Sequence, residues 1–126
     1  MSEGHYHEVL AELSPAVKEL RSMTGETWSA FAALNKAAMA EGVIDGAHKE
    51  LIALAIAITR ECDGCIASHA RGAVRKGVTR QQVAEMVGVA ILLNGGPATV
   101  YGPRAYDAFV EYEQSMRGAT SQSPTP

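Results

Sequence analysis

The stretch HKELIALAIAITR, residues 48–60, decides the fold class. Its large residues Ile52, Leu54, Ile56 and Ile58 alternate with alanines, a period that would suit a strand. Three features favour a helix instead: the alanines, the charged first turn His48-Lys49-Glu50, and the lack of any turn signal before Arg60. A helix that is apolar on all sides is expected to be buried. With this segment read as helix nothing in the chain resembles a βαβ unit. The expectation is all-α: a helical bundle of about six helices in a single domain.

Upstream, Gly42 and Asp45-Gly46 separate this segment from a helix expected over about Glu26–Met39. That helix offers Trp28, Phe31, Ala32, Leu34 and Ala38 to the core. Ser14-Pro15 reads as a cap followed by proline at a first helical position. The spacing therefore predicts one short helix ending near Glu12 and a second from Pro15 to about Met23, broken by Thr24-Gly25. Downstream, a turn at Asp63-Gly64 leads into a helix from about Cys65 to Lys76, closed by Gly77. Thr79-Arg80-Gln81-Gln82 reads as a capping box, followed by Val83, Met86, Val87 and Ala90 as a core or interface stripe. Asn94-Gly95-Gly96-Pro97 stops that helix and starts a last one to about Met116. The domain is expected over 1–117, with the polar tail GATSQSPTP, residues 118–126, disordered. His5 and His7 are expected to be solvated near a frayed end.

The totals narrow the function classes. A chain of 126 residues with 47% apolar content and net charge −3 fits one globular domain. No basic stripe with interleaved aromatics is present, so nucleic acid is not an expected partner. The N-terminus has no basic region followed by an apolar run. The longest strictly apolar run, Leu51 to Ile58, is too short to span a bilayer. A cytoplasmic protein with no membrane partner is expected. Few aromatics (6%) and abundant alanine and glycine point to close helix packing, completed by assembly into a homo-oligomer.

The chemistry concentrates in ECDGCIASHA, residues 61–70, which holds both cysteines. On a helix Cys62, Cys65 and His69 fall within about a 60° arc. The cysteine spacing permits a disulfide, and His69 stands one turn beyond Cys65. A helix N-terminus favours thiolate over thiol and can bring a pKa of roughly 8.5 down to about 3.5–7.5. Glu50 lies in the first turn of the apolar helix. It is either a solvent-edge residue favoured by the helix dipole or a polar partner for His69, should the two helices pack antiparallel. A zinc site remains an alternative: Cys62, Cys65 and His69 supply three of about four donors, and His48 or Glu50 could complete the set. A purely structural disulfide would close a very small loop and stabilise little. Asn94 to Pro97 is a turn and not a phosphate loop. Tyr101, Tyr106 and Tyr112 are read as packing or oligomer contacts.

The segment from Glu50 to His69, with GVAILLNGGPATVYG at residues 88–102, resembles the alkylhydroperoxidase AhpD-like branch of the carboxymuconolactone decarboxylase family. The resemblance runs from about Glu26 to Tyr112. Its motif is a glutamate, Cys-x-x-Cys twelve residues on, and a histidine four residues after the second cysteine. Glu50, Cys62, Cys65 and His69 fill all four places. The resemblance implies an all-α fold, trimers or hexamers, and thiol-dependent reduction of alkyl hydroperoxides without metal or organic cofactor. It also implies a lipoyl-type or thioredoxin-like electron donor, Cys65 as attacking thiol, Cys62 as resolving thiol, and Glu50 with His69 as proton relay. One departure stands out. Characterised AhpD enzymes carry a histidine immediately before the second cysteine, where this chain has Gly64. A general dithiol–disulfide oxidoreductase would keep the same core chemistry. A non-catalytic redox- or metal-responsive module and a decarboxylase-like enzyme are the competing readings.

Overall fold

The computed structural model describes residues 4–121, with side chains as far as Gly118. Among these residues there are six helices and no strand: α1 (His5–Met23), α2 (Gly25–Ala38), α3 (Gly46–Thr59), α4 (Asp63–Arg75), α5 (Arg80–Asn94) and α6 (Ala98–Ser121). The ambiguous segment at residues 48–60 is thus the helix α3. No helix of the described residues is long and apolar enough to cross a membrane.

Helix α4 is the centre of the bundle, packed between α3, α6 and α1. Its inner face is nearly all small: Ala67, Ala70 and Ala73 are fully buried beside Ile66. The absence of bulk there lets neighbouring helices approach, and they fill the space with Leu54 and Ile58 from α3 and Phe109 from α6. Truncating Phe109 to alanine would cost about 3–5 kcal/mol.

The starts of α3 and α5 follow local signals. Asp45 caps α3 by accepting from the His48 N–H at 2.8 Å. That backbone bond, with the His48 ring beside it, holds the Asp45 carboxyl below the usual carboxylate range. The capping box before α5 is present on both sides: Gln82 N–H donates to Thr79 Oγ1 (3.1 Å), and Thr79 N–H donates to Gln82 Oε1 (2.9 Å). Between α2 and α3, Glu41 accepts from the Gly46 N–H at 2.8 Å and pairs with Lys76 at 3.2 Å.

Several expectations are corrected. Residues 5–23 form one helix through Pro15, not two. The N-terminal half of α1 is held from outside: Glu111 of α6 accepts from the Tyr6 and His7 N–H groups at 3.1 and 2.8 Å. Tyr112 Oη donates to the Tyr6 carbonyl, and Tyr6 itself is buried. His7 is not solvated; its Nδ1 lies 2.6 Å from Glu111 Oε2, with its side chain 19% exposed. Helix α6 continues past Met116, so residues 118–121 of the expected disordered tail are helical, while residues 122–126 lie outside the described ones.

The largest correction concerns α2. It has no buried residue and touches no element other than α1. Phe31 and Leu34 are exposed, as are Ile52 and Ile56 on the outer side of α3, which is therefore not buried all round. A helical stripe records that a face is apolar, and not what covers it.

Candidate functional site

The site is built where α3 hands over to α4. The link is Arg60, Glu61 and Cys62. The Cys62 N–H donates to the Ala57 carbonyl (3.2 Å) and the Glu61 N–H to Ile58 (3.1 Å), which is the Schellman arrangement. The same pattern ends α4, where Val78 and Gly77 donate to Ala73 and Val74. There the left-handed position is Gly77 (φ 81°); at the end of α3 it is a glutamate, Glu61 (φ 53°). The turn therefore precedes the Asp63-Gly64 pair expected to form it, and α4 begins at Asp63 with Cys62 as its cap.

Cys62 and Cys65 are joined in a disulfide, their Cα atoms 5.2 Å apart. As cap residue, Cys62 accepts the Cys65 N–H on its sulfur at 3.2 Å. This places its sulfur in the field of the helix start, where negative charge is favoured. Cys62 is half-buried, whereas Cys65 is exposed. The two sulfurs are thus unlike: one is held by the helix end, the other open to an incoming reactant.

His69 follows Cys65 by one turn, and both line a pocket of about 230 Å³ whose remaining walls are Ala53, Ile56, Ala57 and Arg60. The pocket is almost wholly apolar apart from His69, Cys65 and the Arg60 side chain. Arg60 is a functional candidate that the sequence reading did not single out. From α3, Glu50 reaches the ring: His69 Nδ1 lies 3.1 Å from Glu50 Oε2, with the side chains 25% and 12% exposed. The two alternatives for Glu50 are thereby separated, since its carboxylate turns to the imidazole and not to solvent. Bonding at Nδ1 leaves Nε2 as the nitrogen free for proton exchange.

Gly72 makes that contact geometrically possible. A Cβ at this position would fall within 2.6 Å of the Glu50 Cδ and within 2.7 Å of its Oε1. A glycine in mid-helix costs about 0.5–1 kcal/mol relative to alanine, and here its bare backbone makes room for the carboxylate. The only sequence signal for Gly72 was that cost, since nothing in its local spacing points toward Glu50.

The other candidates are placed apart. His48 turns to Asp45, its Nδ1 2.7 Å from Oδ1, at the opposite end of α3 from the cysteines. Among the described residues no group of three or more His, Cys, Asp or Glu side chains is arranged to hold a metal ion. Asp63, inside the first turn of α4, points inward: its Oδ1 is buried without a hydrogen-bond partner among the described residues. Its charge acts on Tyr6 of α1, whose hydroxyl is pushed up to about 12, first by burial and next by Asp63.

The model of the carboxymuconolactone decarboxylase family matches residues 26–108, from α2 to within α6. The chain belongs to that family. Helix α1 lies outside the matched residues. The apo crystal structure of a carboxymuconolactone decarboxylase family protein from Legionella pneumophila has the same fold, with a TM-score of 0.82 and 31% identity. The match covers 86% of this chain and 96% of that one. Among curated proteins, an uncharacterised protein of Cupriavidus necator is 36% identical over 100 residues, 79% of this chain and 88% of the relative. Another, uncharacterised protein 4 in the cox locus of Paracoccus denitrificans, is 34% identical over 96 residues, 76% and 86% of the two chains. Family membership thus agrees with the helical architecture, while the family includes more than one chemistry.

Proposed function

We propose that this chain is a dithiol–disulfide oxidoreductase of the AhpD-like branch, acting on alkyl hydroperoxides or disulfides, with Cys62–Cys65 as its oxidised form. The observation that carries this reading is the shared pocket: an exposed sulfur, Cys65, opens onto the same apolar cavity as His69, whose ring is held by Glu50.

In the reduced protein the Cys65 thiolate attacks the terminal oxygen of a hydroperoxide. An S–O bond forms, the O–O bond breaks, and the alkoxide leaves as alcohol with a proton from His69. The Cys62 thiolate then attacks the sulfenic sulfur. The S–S bond forms and hydroxide leaves as water. A donor dithiol, lipoyl-type or thioredoxin-like, returns two electrons and two protons by thiol exchange, so hydroperoxide and dithiol become alcohol, water and disulfide. Glu50 fixes the His69 ring so that Nε2 serves the sulfur, and neither metal nor organic cofactor enters the cycle.

Gly64, where AhpD enzymes carry a histidine, lies under α1. A Cβ there would meet Leu13 Cδ1 at 3.4 Å. With no imidazole between the cysteines, disulfide exchange is the better supported half of the activity, and proton handling falls to the His69–Glu50 pair. The same reading includes a homo-oligomer, trimer or hexamer, because α2 and the end of α5 present Phe31, Leu34, Leu92 and Leu93 to the outside.

The test is turnover of cumene hydroperoxide, and separately of a small aromatic disulfide, by reduced protein supplied with dihydrolipoamide. Turnover of either that is abolished by Cys65→Ser supports the reading. Stoichiometric disulfide formation without turnover of either would overturn it in favour of a redox sensor.

A further inference from the structure

We propose that a cleft on the far side of α4 from the dithiol binds a small amphipathic oxyanion, a carboxylate or phosphate monoester carried on an apolar body. Arg71 follows His69 by two residues, which turns it about 200° around the helix. Arg75 lies one further turn along the same face. Both arginines line a cleft of about 380 Å³ together with His7 and Leu10 of α1 and Tyr112 and Met116 of α6. That volume lies within the range of small-molecule sites, roughly 300–1,000 Å³.

Lys76, Arg80 and Arg117 each have a carboxylate partner. Among the described residues neither arginine of this cleft is held by a carboxylate, in a chain whose net charge is −3. Lys18, Arg21, Lys36, Arg60 and Arg104 share that condition, but among the described residues only Arg71 and Arg75 line one cleft together. The nearby acid, Glu111, is already engaged: it accepts from two α1 N–H groups and pairs with the His7 Nδ1. Arg75 in the last turn of α4 is also favoured by the helix dipole, but Arg71 stands a full turn earlier and is half-buried. Two guanidinium groups one turn apart offer paired N–H donors to the oxygens of a carboxylate or phosphate. Leu10, the Tyr112 ring and Met116 give the apolar wall beside them. The cleft is therefore suited to an anionic head with an apolar tail, and not to a free ion alone. The proposal does not depend on the redox reading, because the two sites lie on opposite sides of α4.

The experiment titrates the full chain with hexanoate and hexyl phosphate, and in parallel with acetate and inorganic phosphate. Binding is followed by the side-chain NMR signals of the arginines and of His7. Saturable shifts at Arg71 and Arg75 are expected, with the hexyl compounds binding at least about tenfold tighter than their head groups alone. Tighter hexanoate assigns a carboxylate, and tighter hexyl phosphate a phosphate monoester. Arg71→Gln and Arg75→Gln, at a half-buried and an exposed position of α4, should each weaken binding about tenfold while leaving the disulfide reaction unchanged. Three results would overturn the proposal: non-saturating shifts, acetate and phosphate binding as tightly as the hexyl compounds, or binding undiminished in the Arg71→Gln/Arg75→Gln double variant.

Discussion

The imidazole of His69 and the carboxylate of Glu50 meet across two helices, Nδ1 to Oε2 at 3.1 Å, nineteen residues apart in the chain. Helix α3 begins at Gly46, so Glu50 stands in its second turn and not the expected first. It meets His69 of the second turn of α4 only because these helices run back along one another. This contact ties a pocket residue to the body of α3, which makes it an informative place to perturb.

Gly72→Val is expected to break this contact without breaking the fold. The added carbons occupy the space of the Glu50 carboxylate, which is the far end of a flexible side chain and can swing away. Valine gains a few tenths of a kcal/mol in helix propensity, while the lost Glu50–His69 contact costs about 1–2 kcal/mol, so a modest net loss of stability is expected. Turnover should fall about 10- to 100-fold, the scale of a disturbed proton relay. The double variant with Glu50→Gln should be no worse than either single one. A large further loss in that double variant would show that Gly72 acts by another route.

Glu61→Gly is expected to stabilise the protein. Glu61 occupies the left-handed region (φ 53°) at a helix end whose counterpart in α4 uses Gly77. A side chain in that conformation costs roughly 1 kcal/mol, which glycine avoids. Part of this gain is offset by the greater freedom of glycine in the unfolded chain. A net rise of a few degrees in Tm is expected, and a fall would mean that the Glu61 side chain makes a stabilising contact of its own.

The parts of this molecule that were legible from sequence are those set by near neighbours. The register of Cys62, Cys65 and His69 on one helix, the Thr79 capping box and the glycine stops at Gly77 and Gly95 all depend on residues within four or five positions. What was not legible depends on distant partners. Pro15 reads as a helix start, yet α1 continues through it while its front half is anchored by Glu111 and Tyr112, about a hundred residues away. His7 reads as a solvated histidine for the same reason. Phe31 and Leu34 have the spacing of core residues, and periodicity alone cannot say whether the rest of the fold will reach them. Gly72 shows the same limit at the site, because its neighbour Glu50 belongs to a different helix.

The uncovered apolar surface leads to a prediction about assembly. Leu92 and Leu93, 80% and 82% exposed on α5, are bulky residues in a position no described part of the chain protects. Replacing both by serine should leave the helical content of each subunit intact and lower the mass of the assembled species in sedimentation. Wild-type protein that is already monomeric at micromolar concentration would rule out the homo-oligomer.

The alkaline limb of stability should trace to Tyr6. Its hydroxyl is raised from the usual value near 10 to about 12, mainly by burial, with the Asp63 carboxylate adding to the rise and Arg104 opposing it. The folded protein therefore keeps this proton after the unfolded chain has released it. The group's contribution is fully present below about pH 10 and is lost as pH rises through the window to about 12. A shift of this size corresponds to at most about 2–3 kcal/mol. Tyr6→Phe removes the titrating group but keeps the ring in the core, and the bond from Tyr112 survives because it goes to the backbone carbonyl of residue 6. Denaturant unfolding measured between pH 9 and 12 should show a shallower decline for Tyr6→Phe than for the wild type. Parallel declines would assign the alkaline sensitivity to another group.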